Sequence, residues 1–266
     1  MVLCVLYLNI EKSKHLDAVI QLLREKKPDV ACFAEAMAED VKKIASQFGY
    51  ELAFAPLVVV EEGENKDQSG SAILSRYPMR ETKKYRYDDN TSEELPVYTE
   101  SKTAPQNGKR PADRFLYHNA LLAASLQYEK DRVVTIATTH FPVVDHGGLG
   151  SSDHELNEVK DVRDVEHASI YLDRLISIIR SLRAPLVFTA DLNNARGEYV
   201  YNEIAHELID IVPRSVSSTI DPQLHRKPYL KMLVDTIMTS AEVSVKNFEI
   251  IEGVSDHKAL LASLLI

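Results

Sequence analysis

Short apolar runs that end in a polar or ionisable residue constrain this chain more than any other feature. Val2–Leu8 runs into Asn9, Val30–Ala34 into Glu35, and Leu186–Thr189 into Ala190-Asp191. Runs this short and this uniformly apolar fit strands buried on both faces, as in layered α/β folds. Leu121–Leu126 and Val133–Thr138 are two further strands; the short polar link Gln127–Arg132 predicts a hairpin, with His140 just past its second strand. Leu16, Val19, Ile20 and Leu23 fall at helical spacing before Pro28, and Val41, Ile44, Ala45 and Phe48 do so before Gly49. The chain therefore opens β-α-β-α-β. Ala72–Leu74 is a strand, and Ser75–Pro78 a turn. Asp88–Asp113 is polar and aperiodic, and reads as one long surface loop. Ser152 and Glu155 form a capping box for a long amphipathic helix that carries Val159 through Leu182 and stops before Pro185. Val234–Met238, Val243–Val245 and Ala259–Leu265 complete a β-rich end.

Composition excludes several classes. At 266 residues with 45% hydrophobic and 27% charged residues, the chain is an ordinary globular one rather than a disordered one. A net charge of −9 argues against broad binding to nucleic acid or anionic membrane, and leaves room for a local basic groove. Cys4 and Cys32, the only cysteines, sit inside apolar runs and read as core thiols of a reducing compartment. No run is long enough to span a bilayer and the first lacks the flanks of a signal peptide, so the expected location is cytoplasmic, without membrane insertion and with no protein partner.

The chemistry-bearing residues sit at strand ends: Asn9, Glu35, His140, Asp191 with Asn193, Asp235 inside a strand, and Asp256-His257 before the last strand. Such groups beside buried strands are costly unless they are paired or bind an ion, and strand ends are where α/β proteins build sites. Taken singly, each has an ordinary explanation as a turn or helix-start residue. Their order changes that reading. Leu-Asn-Ile (8–10), Ala-Glu-Ala (34–36), Ser-Gly-Ser-Ala-Ile-Leu-Ser-Arg-Tyr-Pro (69–78), Thr-Thr-His-Phe (138–141), Ala-Asp-Leu-Asn (190–193), Val-Asp-Thr-Ile (234–237) and Val-Ser-Asp-His (254–257) together resemble the endonuclease/exonuclease/phosphatase superfamily.

The resemblance implies a DNase I-like α/β fold, a four-layer sandwich of two mixed β-sheets flanked by helices, built as one domain over 1–266. It implies a metal-dependent phosphoesterase. Glu35 and Asp256 would bind Mg²⁺ or Mn²⁺, with Asn9 beside the metal or phosphate; oxygen donors suit either cation. Asp191 would orient or deprotonate the attacking water, and Asn193 would donate to a phosphate oxygen. Asp235 would pair with His257 or His140, and His257 would contact the phosphate or share proton transfer. Ala34 and Ala190 replace the family's usual Gln and Gly. Thr236 follows Asp235, so the Trp-Cys-Asp-Arg signature of inositol-polyphosphate phosphatases and the Asp-Tyr of many abasic-site endonucleases are both absent.

The segment Thr219–Lys231 precedes the Asp235 strand and is expected to overhang the site, where His225, Arg226 and Lys227 either bind phosphate or form a solvated basic loop. Arg110 and Arg114 are weaker substrate-binding candidates. Asp145-His146-Gly147-Gly148 and Asp153-His154 read as a flexible polar loop, with a lid or an extra metal site as the alternatives. His15, His118, His167 and His206 have no motif context and read as structural or surface residues. Three functions follow: a phosphodiesterase or nuclease, a phosphomonoesterase acting on a small phosphorylated metabolite or headgroup, and an inactive binding module. The negative charge and the lack of aromatic-plus-basic stretches favour a small substrate; the complete set of catalytic side chains argues against an inactive module.

Overall fold

The structure is a computed structural model that describes residues 1–62, 65–88, 94–99, 119–130, 132–143 and 162–266. Its element order is β1 (Val2–Asn9), α1 (Leu16–Lys26), β2 (Val30–Met37), α2 (Ala38–Phe48), β3 (Glu51–Glu62), β4 (Asn65–Ser75), β5 (Met79–Arg86), β6 (Val97–Thr99), β7 (Ala120–Glu129), β8 (Arg132–His140), α3 (Val162–Ser181), β9 (Leu186–Asp191), α4 (Tyr199–Glu207), β10 (Ile209–Asp210), β11 (Asp235–Thr239), β12 (Ser244–Ile251) and β13 (Ala259–Leu265).

These strands form two sheets, in the orders β12-β13-β1-β2-β4-β3-β6 and β10-β11-β9-β8-β7-β5. Both are mixed: β1 and β2 run parallel, as do β8 and β9, while most other pairs are antiparallel. The continuous apolar run of β1 now has its cause. Leu3, Val5 and Tyr7 point into the core between the sheets, and Leu6 and Leu8 into a second core under α1 and α2. In that outer core Val19, Leu22 and Leu23 of α1 and Val41, Ile44 and Ala45 of α2 cover Phe33 and Ala31. On the other side Tyr171, Leu172 and Leu175 of α3 and Val200 and Tyr201 of α4 share a cluster with β8 and β9. The architecture is the expected sandwich of two mixed sheets flanked by helices.

Helix α2 ends where the sequence places its stop. Gly49 is left-handed, and its N–H donates to the Ala45 carbonyl. Helix α1 ends on Lys27, also left-handed, directly before Pro28.

Several boundaries differ from expectation. The strand read at Ala72–Leu74 is the end of the longer β4, which pairs with β3 as a hairpin. Strand β3 is the third strand expected after α2, whereas β5 and α4 were not anticipated. Val97–Thr99, inside the expected surface loop, pairs in parallel with β3. Strand β5 is a half-exposed edge with no apolar alternation, because only one neighbour, β7, covers it. Apart from Asp88 and residues 94–96, the remainder of that loop, the Ser152–Glu155 capping box, the 145–148 and 153–154 clusters, Arg110, Arg114 and His118 lie outside the described residues. Among the described residues no helix is long and apolar enough to cross a membrane. Cys4 and Cys32 are free thiols.

Candidate active site

The two sheets converge at one end, where β1, β2, β8 and β9 finish and β11 begins. Register sets the spacing in the second sheet. His140 is paired with Asp191 across β8–β9, and Asp191 with Asp235 across β9–β11. In the first sheet Asn9 is paired with Ala34. The next residue, Glu35, falls where the β2–β4 register slips between Phe33 and Ala36. Its φ of 51° lies in the left-handed region. A bulge re-aims a side chain, and a non-glycine residue in that region carries strain that functional sites often hold. The backbone holds Glu35 there through the N–H of Lys12, which donates to its carbonyl at 3.0 Å.

Asp191 is the centre of the cluster and is 1% exposed. Its carboxylate accepts from Asn9 Nδ2 at 3.0 Å and from the Asn193 backbone N–H at 2.9 Å. His140 Nε2 lies 3.5 Å away and His257 Nδ1 3.8 Å away. Burial opposes its charge, but His257, His140 and the two hydrogen bonds hold it below the usual carboxylate range. His257 Nδ1 is 2.7 Å from Asp235 Oδ2. Burial raises the Asp235 carboxyl to about 6, with Asp191 adding to the rise and His257 opposing it. Burial disfavours charge on the His257 ring too, yet Asp235 and Asp191 raise it well above its ordinary value. The pair is an imidazolium held by a carboxylate, with Nε2 as the ring nitrogen left for substrate. Of the two partners expected for Asp235, the structure selects His257.

Two of the expected residues, Asn9 and Asn193, also make bonds within the site. Asn9 was expected beside a metal or phosphate. It lines the cleft beside Glu35, where its amide nitrogen donates to Glu35 Oε1 at 3.2 Å and to Asp191, and its Oδ1 accepts from the Glu11 N–H at 3.1 Å. Asn9 is a bridge that orients two carboxylates. Asn193 was expected to donate to a phosphate oxygen. Its amide nitrogen donates to the Phe141 carbonyl at 2.8 Å and lies 2.8 Å from His140 Nε2. It fixes the His140 ring and leaves Oδ1, an acceptor.

A cleft of about 280 Å³ opens over these groups, lined by Asn9, Glu35, Asp191, Asn193, Asp256 and His257, and also by Glu11, Lys12, Lys14, His225 and Arg226. The structure thus brings His225 and Arg226 to the cleft, with the His225 ring edge-on to His257 at 6.3 Å between centroids. The sequence reading missed Glu11, Lys12 and Lys14. Position was the available signal: they follow Asn9 in the same strand-end segment. Glu11 pairs with Lys14 and, at 3.0 Å, with His15, so His15 supports the cleft wall. A larger cleft of about 650 Å³ lies elsewhere, along α4 and β10, and holds none of these groups.

Among the described residues two donor sets could face a cation. Asp191, Asp235 and His257 offer atoms within 4.8 Å of one another. In that set Asp191 is bonded to Asn9 and Asn193 and Asp235 Oδ2 to His257, while Asp235 Oδ1 is buried with no hydrogen-bond partner. Glu35 and Asp256 are half-buried and face the cleft. Burial raises the Asp256 carboxyl, and the nearby Glu11 and Glu35 raise it further. Crowded oxygen donors of this kind suit a hard divalent cation.

The family model described as the endonuclease/exonuclease/phosphatase family matches residues 6–257. Similar solved structures include an endonuclease/exonuclease/phosphatase from Bacteroides vulgatus, with a TM-score of 0.68 at 16% identity over 100% of this chain and 99% of that one. ANGEL2, a 2',3'-cyclic phosphatase in complex with adenosine-2',3'-vanadate, has a TM-score of 0.68 at 13% identity over 99% of this chain and 95% of that one. D. rerio TDP2 complexed with a single-strand DNA product has a TM-score of 0.64 at 13% identity over 100% of this chain and 99% of that one. At these identities the likeness is one of fold. No curated protein matches the sequence at a significant level.

Proposed function

The chain belongs to the endonuclease/exonuclease/phosphatase family, and on that premise we propose that its cleft hydrolyses a phosphoester, a phosphodiester in the first instance, with Mg²⁺ or Mn²⁺ as cofactor. Members of the family are generally phosphoester hydrolases. The observation that carries the proposal is the meeting of Asp191, held ionised, with the Asp235–His257 pair beside Glu35 and Asp256 in one cleft.

Glu35 and Asp256 would hold the cation. When bound, the cation neutralises charge on the phosphate and stabilises the leaving oxygen. Asp191 is the residue suited to take the proton of the attacking water. It is ionised at neutral pH, and Asn9 and Asn193 fix both of its oxygens. His257, charged through Asp235, places its Nε2–H toward a non-bridging phosphate oxygen, where charge develops in the transition state. Lys12, His225 and Arg226 at the cleft wall add cationic contacts to the substrate's phosphate. Arg114, outside the described residues, stays a candidate for the same task.

We propose a single domain over 1–266 as well; that the site draws its residues from positions 9 to 257 supports this reading. A cytoplasmic, soluble enzyme with no protein partner is the form we propose for it. The structural neighbours include a 2',3'-cyclic phosphatase and a protein complexed with a single-strand DNA product, so the bond type is the point to test. Hydrolysis of bis-p-nitrophenyl phosphate and p-nitrophenyl phosphate, side by side with Mg²⁺, Mn²⁺ or EDTA, separates the readings. Metal-dependent diester cleavage supports the proposal. Cleavage of the monoester alone moves the small-metabolite phosphatase to first place. Cleavage of neither, with no metal binding by calorimetry, leaves the binding module.

A further inference from the structure

Two segments of the cleft meet far from each other in sequence: the start of β11, which carries Asp235, and the loop 255–258, which carries His257. Their hydrogen bond fixes the imidazole, so something must hold the two segments in register. The chain between them does not do this by itself, because β11, β12 and the turns between them run away from the site and back.

Thr219 touches both segments. It is fully buried. Its Oγ1 accepts from the backbone N–H groups of Val234 and Asp235, each at 3.1 Å. Its own N–H donates to the Met232 carbonyl at 3.0 Å, and its carbonyl accepts from the Lys258 N–H at 2.7 Å. The next two residues continue the tie. Ile220 bridges to His257, and the Asp221 N–H donates to the Asp256 carbonyl at 2.9 Å. A hydroxyl has two acceptor sites, and both of Thr219's are used on β11. One side chain therefore satisfies two buried donors at the edge where Asp235 enters its strand, while the same residue's backbone grips the residue after His257. The alternative partner, water, is excluded at a site this buried, so loss of the hydroxyl leaves both donors orphaned.

We propose that Thr219 is a positioning residue that locks the Asp235 segment to the His257 segment and so sets the geometry of their hydrogen bond. The inference rests on the reading of the cleft as a phosphoesterase site. Thr219 touches no substrate; it acts through Asp235, at its backbone N–H and, by the hydroxyl, at its carboxyl. Displacing a reacting group by about 1 Å can lower turnover about 100-fold, so the hydroxyl's effect falls on kcat rather than on KM.

The test compares Thr219→Val, Thr219→Ser, Thr219→Cys and Ser240→Ala with the wild-type chain, using bis-p-nitrophenyl phosphate and Mg²⁺. Ser240 is the control: its Oγ accepts the Leu186 N–H at 2.9 Å, a tie of the same kind at the opposite end of β9 and β11. Thr219→Val is expected to lower kcat about 10- to 100-fold with KM within about twofold, and Thr219→Ser to restore kcat to within about threefold. Ser240→Ala is expected to lower the melting temperature yet hold kcat within about twofold. Should the valine variant not fold, Thr219→Cys, with its weak sulfur acceptor, is expected to lower kcat at least about fivefold. A kcat within twofold of wild type in the folded valine or cysteine variant overturns the proposal, as does an equal loss in Ser240→Ala. A second readout needs no turnover. The His257 Nδ1–H proton resonance is expected far downfield in the wild type and Thr219→Ser, and shifted upfield in Thr219→Val or Thr219→Cys with the amide spectrum still folded. If the diester is not cleaved by the wild-type chain, the phosphodiesterase reading fails on its own, and the resonance still decides the role of Thr219: an unchanged signal in a folded variant refutes it.

Discussion

Replacing Gly70 with alanine tests whether the bulge that aims Glu35 depends on the packing behind it. Gly70 lies in β4 between β2 and β3, opposite Ala36 on one side and Pro56 on the other. A Cβ built there sits 2.0 Å from the Ala55 carbonyl oxygen, 2.9 Å from its carbon and 3.0 Å from Pro56 Cα. All three are backbone atoms, so no rotamer change relieves the clash. Ordinary contact begins at 3.4 Å, so the strands must part by about 1.4 Å, the difference between 3.4 and 2.0 Å. Overpacking costs about 1–3 kcal/mol, and a clash wholly against backbone belongs at the upper end, about 3 kcal/mol. For a chain of this size each kcal/mol lowers the melting temperature by about 2–4 °C, giving a loss of about 6–12 °C. The displaced strand is also the one paired with the residue after Glu35, so diester turnover is expected to fall at temperatures where the protein is still folded. Thermal unfolding followed by circular dichroism, with turnover at 25 °C, makes the measurement. A melting temperature within about 2 °C of wild type would refute the packing argument.

Further expectations concern charge, metal and thiols. In Asp235→Asn the His257 ring loses the anion that raises its pKa, so its NMR titration midpoint moves to lower pH; an unmoved midpoint would remove Asp235 from that role. The sign for stability follows: a raised histidine pKa contributes stability that is fully present below its unfolded value of about 6.5 and is lost as pH rises through the folded value, and the variant loses it at lower pH. Glu35→Gln should shift the Mg²⁺ titration of turnover to much higher concentration, and an unchanged titration would take Glu35 off the ligand set. Burial pushes the Cys32 thiol up to about 12, so a thiol reagent at pH 8 should label at most Cys4 in the native protein and both cysteines in denaturant; rapid native labelling of both would contradict the burial of β2.

The sequence made the strand ends legible because β1, β2 and β9 are buried on both faces. Continuous apolar runs mark such strands, and an Asn, Glu or Asp at the end of one stands out. The Asp235–His257 pairing was legible only as a choice between two histidines, since contact across the sheet edge has no local signal. Strand β5, Met-Arg-Glu-Thr-Lys-Lys-Tyr-Arg, carries no period because an exposed edge buries little. The left-handed conformation of Glu35 leaves no mark in composition, because no glycine announces it. Asn9 and Asn193 were found, but their roles depend on which atoms their neighbours already occupy. Thr219 was invisible for a similar reason: its partners lie 15 and 16 residues away.

Turnover of bis-p-nitrophenyl phosphate by the wild-type chain and by Asp191→Asn, with Mg²⁺ and with EDTA, tests the central claim most directly. The account predicts hydrolysis that EDTA abolishes and that Asp191→Asn lowers about 10²- to 10⁴-fold, the range for a lost proton acceptor, while the variant stays folded by circular dichroism. Metal-dependent hydrolysis at a wild-type rate in a folded Asp191→Asn would contradict it.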